Sequence, residues 1–183
     1  SSAASDVYKR QGMGCIGFSH GYGKIPEKQY SIEAIRKAYA FGCTFFDTAE
    51  VYGNELYWEG HNEEILGEAV ESFRKNIVIA TKLHIHDEEV TPNMDLYHLI
   101  KSHLEKSLKR LRTDYVDLYY LHRVNEFVPV EDVAYVMGKL IDEGLIKGWG
   151  LSQVDVDTLD KAHRVTPVTA VQNLYNILER DCD

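Results

Sequence analysis

No run of apolar residues in this 183-residue sequence approaches the roughly 20 consecutive positions that a bilayer-spanning helix needs, so no membrane role is expected. Positive charge is in deficit. Twenty Lys and Arg face 29 Asp and Glu, for a net charge of -9 at pH 7. That balance argues against nucleic acid or an anionic membrane surface as the main partner. Cysteine is scarce: Cys15, Cys43 and Cys182 are odd in number, widely spread and without a C-x-x-C pair. A disulfide framework is therefore not expected, and reduced thiols in a cytoplasmic protein are. Cys15 and Cys43 lie within apolar segments and read as small core fillers. The N-terminus lacks the apolar core of a secretory signal. Residues 1–11 are polar and aperiodic and read as a leader outside the fold, which leaves 12–183 as one domain. Low-complexity stretches and interdomain linkers are absent.

What the sequence has is alternation. Strand-like apolar runs alternate with amphipathic patterns at the spacing of βαβ units. The runs are Met13–Gly17, Thr44–Asp47, Ile77–Thr81, Val116–Leu121, Gly148–Leu151 and Ala170–Gln172. Several are continuously apolar, as in strands of a parallel sheet covered on both faces. Between them, Ser31 is placed to cap a helix over Ile32–Phe41 that Gly42 ends, and Asn62 to cap Glu63–Ser72. Thr91-Pro92 reads as a cap followed by proline in a first turn. Leu96, Ile100, Leu104, Leu108 and Leu111 then form a buried stripe, with Lys101, Glu105, Lys106 and Lys109 off it. Pro129 opens a helix that Gly144 closes, and Asp155 caps one running to about Val165.

Two parallel architectures fit this α/β pattern. Gly12, Gly14 and Gly17 superficially read G-x-G-x-x-G, the phosphate loop of a doubly wound sheet. The glycines overlap the strand itself, however, and the next helix pattern starts only near Ser31, so the context is wrong. A β/α barrel is preferred. The long loops, Ala49–His61 and His84–Val90, follow strands, where β/α proteins build their sites.

The residues with chemistry stand at those same ends. Asp47 closes the second strand pattern, Tyr52 lies just beyond, Lys82 follows the third and His122 the fourth. The surrounding text reads FFDTAEVYG, NEEILGEA, VIATK, SLKRLRTDYVDLYYLHR and GLIKGWGLS. In this ordered set, covering nearly all of residues 12–181, the sequence resembles the aldo-keto reductases, in their bacterial, plant and potassium-channel-β-like branch. The resemblance implies a (β/α)8 TIM barrel, of which about six β/α units are present, and NADPH-dependent reduction of an aldehyde or ketone. It implies that Tyr52 donates the proton, Lys82 lowers the phenol's pKa, Asp47 holds Lys82 charged, and His122 orients the carbonyl. It also places Gly14, Cys15, Asp47, Ser152, Gln153 and Gln172 at the cofactor. Gln153 departs from the family's Asn by one methylene.

Three functions remain open at this point. They are the reductase, an NADPH-binding regulatory subunit with little turnover, and an inactive fragment, since six strands do not close an eight-strand barrel. His84 and His86 project to one side if extended, without a third metal ligand, and read as loop histidines. Tyr22, Tyr57 and Trp58 read equally as pocket walls or loop packing. Tyr119 and Tyr120 are expected to pack against helices, Arg123 to pair with a carboxylate, and Lys106–Arg112 to form a solvated face. No metal is expected, the partner is a small carbonyl compound, and the oligomeric state is unread.

Overall fold

Short apolar runs that must be covered on both faces become parallel strands, and amphipathic segments between them become the covering helices. The computed structural model describes residues 11–20 and 23–179. The leader as far as residue 10, Tyr22 and Cys182 lie outside the described residues. The elements are β1 (Met13–Gly14), α1 (Lys28–Ala40), β2 (Phe45–Asp47), α2 (His61–Val70), β3 (Val78–Leu83) and α3 (Leu96–Leu111). They continue with β4 (Leu118–Leu121), α4 (Val130–Asp142), β5 (Trp149–Ser152), α5 (Val156–Val165) and β6 (Ala170–Gln172). Strand order follows the chain, β1 to β6, with parallel pairing at β1–β2, β2–β3, β4–β5 and β5–β6. Among the described residues no helix is long and apolar enough to cross a membrane.

The chain divides into two compact units, Ser1–Thr81 with Lys106–Val116, and Lys82–Glu105 with Asp117–Asp183. In the first, Phe46 and Ile79 are fully buried in adjacent strands, and Ile35 of α1 and Leu66, Ala69 and Val70 of α2 are fully buried too. Arg74 is buried and donates to the carbonyls of Ile77 and Tyr115, so the start of β3 is pinned by a cation. In the second, Tyr119, Trp149 and Leu151 are fully buried in β4 and β5, and Ala134, Met137 and Leu140 in α4. Gly150 pairs with Tyr120, and a Cβ at Gly150 would stand 2.5 Å from that tyrosine's ring, so only glycine leaves it room.

All six expected strands form, with bounds that shift by up to three residues at their ends. β1 stops at Gly14, and Ile16–Phe18 is a 3-10 turn rather than strand. β3 runs on to Leu83, so Lys82 lies inside the strand. Three expected caps are corrected. Ser31 sits inside α1, where its hydroxyl donates back to the Glu27 carbonyl at 3.2 Å. Asn62 is inside α2, whose N-cap is Gly60 at φ +83°. Thr91-Pro92 precedes α3 by a full turn; there the Asp95 carboxylate accepts from the His98 N–H at 3.1 Å and does the capping. By contrast, Asp155 caps α5 as expected, accepting from the Thr158 N–H at 2.7 Å. Gly42 and Gly144 end their helices at φ +96° and +75°.

Candidate active site

The first unit holds Gly14, Cys15, Asp47 and Tyr52. Register pairs Gly14 with Asp47, and the Cys15 N–H donates to the Asp47 carbonyl at 2.8 Å. Among the described residues a Cβ at Gly14 would meet nothing within 4 Å. Cys15 is buried, 1% exposed, with its N–H and carbonyl both hydrogen-bonded within the protein.

From Asp47 the chain enters a loop whose first three residues, Thr48, Ala49 and Glu50, are buried. Its far end is closed back on it: the Gly60 N–H donates to the Glu50 carbonyl at 2.6 Å, and the Asn62 N–H to the Tyr52 carbonyl at 3.3 Å. Gly53 has φ +115°, and a Cβ there would lie 2.9 Å from the His61 Cβ, so both backbone and space demand glycine next to Tyr52. Tyr57 stacks on the His61 ring at 4.0 Å, and Trp58 meets that ring edge-on at 4.8 Å. These two aromatics pack on the loop's own base, although both keep exposed surface. Burial pushes the His61 pKa down.

Beneath this loop lies a buried ion pair. Glu63, fully buried, faces the Arg110 Nε at 2.7 Å and accepts from the Thr81 hydroxyl at 2.6 Å. Burial pushes its carboxyl up to about 7 even with the guanidinium beside it. Arg110 is thereby removed from the expected solvated basic face of Lys106–Arg112; its side chain is only 14% exposed.

The second unit holds Lys82, His122, Ser152, Gln153 and Gln172. Lys82 is 1% exposed. The His122 N–H donates to the Leu83 carbonyl at 2.8 Å, fixing the turn out of β4 against the end of β3. Burial, and then the positive charges of Lys82 and Arg123, push the His122 pKa down to about 4. The imidazole is therefore neutral at pH 7 and holds one N–H to donate. His84 and His86 lie with ring centroids 4.7 Å apart, and His84 stands 6.2 Å from His122. Tyr119 and Tyr120 are buried, as expected.

Ser152 and Gln172 are register partners at the ends of β5 and β6. The Ser152 hydroxyl accepts from Arg123 Nη1 at 3.1 Å. Arg123 thus holds a site hydroxyl and the His122 carbonyl, where a carboxylate partner was expected. Gln153 adopts φ +55°, and its Oε1 accepts from the Leu174 N–H at 3.2 Å. Asn173, which sequence reasoning passed over, closes both backbone groups of Val154, accepting from its N–H and donating to its carbonyl.

Residues 11–183 match the family model described as the aldo/keto reductase family. The chain belongs to the aldo/keto reductase family. It is 39% identical over 176 residues to a probable aldo-keto reductase 1 of Glycine max, covering 94% of this chain and 49% of the relative. Among solved structures, it matches a thermostable aldo-keto reductase, Tm1743, held with the inhibitor epalrestat, at TM-score 0.79 and 32% identity, covering 93% of this chain and 59% of that one. An aldo-keto reductase from Klebsiella pneumoniae in complex with NADPH matches at TM-score 0.73 and 28% identity, covering 90% and 53%. This aldo/keto reductase sequence therefore spans about half the length of relatives that it matches. The β/α-barrel fold expected from the alternation is the fold of those structures.

Proposed function

We propose that the natural protein carrying this sequence reduces an aldehyde or ketone to an alcohol with NADPH, and that Asp47, Tyr52, Lys82 and His122 are its catalytic residues. The observation that carries the reading is in the second unit. A lysine with 1% exposure lies beside an imidazole held neutral, each at the carboxyl end of its strand.

The residues fit a nicotinamide cofactor. Ser152 and Gln172, paired in register, offer a hydroxyl and an amide of the kind that a carboxamide can hydrogen-bond. Among the described residues nothing would crowd a Cβ at Gly14, at the end of β1. When bound, the reduced nicotinamide supplies hydride to the carbonyl carbon.

In this reading the Tyr52 hydroxyl gives its proton to the carbonyl oxygen as negative charge grows there. A free phenol, with pKa near 10, is poorly matched to that task at neutral pH. The family resemblance assigns Lys82 to the support of Tyr52 as the acid, and Asp47 to the support of Lys82. His122, neutral at pH 7, donates its N–H to the carbonyl oxygen and orients it without carrying the transferred proton. Arg123 fixes the Ser152 hydroxyl. Gln153 spends its amide oxygen on Leu174, so it contributes to the cofactor site through the shape of the turn.

The test is NADPH oxidation by the natural full-length protein with a panel of aldehydes. Replacing Tyr52 by Phe is expected to lower kcat by about 100-fold or more. Undiminished turnover in that variant overturns the assignment. NADPH binding with no turnover of any carbonyl by the unaltered protein overturns the reductase reading in favour of a cofactor-binding subunit.

A further inference from the structure

We propose that Asn62 is a positioning residue, whose single amide sets the geometry of both Asp47 and Tyr52. The proposal rests on reading those two as catalytic residues. Asn62 is 1% exposed, in the first turn of α2, and each polar atom of its side chain is used. Its Oδ1 accepts from the Thr48 hydroxyl at 2.7 Å, and Thr48 is bonded in sequence to Asp47. Its Nδ2 donates to the Cys15 carbonyl at 2.8 Å, and the Cys15 N–H in turn holds the Asp47 carbonyl. The other Nδ2 hydrogen goes to the Ser19 hydroxyl at 2.8 Å. The main-chain N–H of Asn62 donates to the Tyr52 carbonyl.

An amide nitrogen is only a donor, so the Ser19 hydroxyl accepts from Asn62, and it lies 2.8 Å from His61 Nδ1 as well. Asn62 therefore joins the end of β1, the end of β2 and the loop bearing Tyr52 at one point. A helix is a stiff reference, and a buried amide with all its bonds made has no alternative arrangement at hand. A carboxamide is also the side chain that the site requires. It offers one acceptor and two donors, where a carboxylate of the same shape offers no donor.

The experiment uses the natural full-length protein. Asn62→Asp keeps the acceptor facing Thr48 and loses both donors. It is expected to lower kcat for aldehyde reduction 30- to 100-fold, with the KM for NADPH changed less than about threefold, because a misplaced catalytic group costs rate more than binding. Amide hydrogen exchange over residues 48–53 should accelerate at least tenfold. Thr48→Val, nearly isosteric and safer for folding, should lower kcat by a smaller factor in the same direction, and Thr48→Ser, which keeps the hydroxyl, should recover most of it. A folded Asn62→Asp with unchanged kcat and unchanged exchange overturns the proposal. So does a Thr48→Val that equals its serine counterpart in both readouts. Failure of the underlying reading is distinguishable, because Tyr52→Phe would then retain turnover, whereas exchange over 48–53 reports on Asn62 regardless of turnover.

Discussion

The loop after β2 and the turn after β5 do the same job by different means. Each leads out of a parallel strand and holds polar residues at its carboxyl end. After β2, the work is done by buried groups from distant parts of the chain: Asn62 reaches Thr48, Cys15 and Ser19, and Glu63 beneath it meets Arg110 and Thr81. After β5, it is done at the surface by the amides of Gln153 and Asn173, which tie the two neighbouring strand ends together. The helix that follows β5 has one buried residue, Ala162. Surface hydrogen bonds compete with water, and a helix with little burial opens at low cost, so the first device should be rigid and the second soft. The carboxylate and phenol proposed as catalytic suit the first. The hydroxyl and amide proposed to meet a cofactor can tolerate the second.

The most drastic way to break the contrast is to remove the guanidinium under the first loop. Arg110→Ala removes a largely buried side chain and its pairing with Glu63, whose carboxyl then takes up a proton, and the expected cost is about 2–4 kcal/mol of folding stability. Urea unfolding of the natural protein checks it. An effect below about 1 kcal/mol would show that the first region is no more tightly determined than the second.

A gentler probe is pH, because Glu63 under the first loop and His122, whose neighbour Arg123 holds Ser152, titrate with opposite sign. Glu63 has its folded pKa raised from 4.5 to about 7, so between those values the folded chain binds the proton more tightly than the unfolded chain. Its contribution is fullest below pH 4.5 and is lost as pH rises toward 7, by up to about 3 kcal/mol. His122 has its folded pKa lowered from 6.5 to about 4. Its contribution is present above pH 6.5 and is lost as pH falls through 4. Its ring is partly exposed, so solvent screening reduces the amount to about 1–2 kcal/mol. Urea midpoints between pH 4 and 8 should therefore tilt one way in Glu63→Gln and the other way in His122→Asn. Parallel curves for the two variants would contradict the assignment.

This division also explains what the sequence could reveal. The strands were legible because continuous apolar runs are local, and the site residues stand where those runs stop. The stripe of Ile100, Leu104, Leu108 and Leu111 is buried as its period demands. What failed was the placing of polar residues at helix starts. Ser31, Asn62 and Thr91 have the side chains of caps, yet Ser31 bonds back along its own helix and Asn62 is drawn into a network reaching 47 residues away. Arg110 read as one cation in a basic run, because its partner Glu63 lies on a different helix and nothing in local spacing links them. Tyr52, Lys82 and His122, proposed as catalytic, stand out by place and type, but Asn62, which ties the Tyr52 loop to two strand ends, does not.

The mildest probe concerns the turn after β5. Gln153 is one of two non-glycine residues with positive φ among those described, the other being Arg112. A residue with a Cβ pays about 1 kcal/mol or more for that left-handed conformation, and Asn pays least among those with side chains, because its short amide bonds locally. Gln153→Asn should therefore raise stability by about 0.5–1 kcal/mol, less whatever the shortened amide loses in reaching the Leu174 N–H. If the strain is what keeps this turn soft, the gain should come with slower hydrogen exchange at Val154 and Leu174, while exchange over residues 48–53 stays as it was. A variant of unchanged stability would instead mean that the Gln153–Leu174 bond fully offsets the strained backbone, and that the clasp, not the conformation, sets how firmly Ser152 is held.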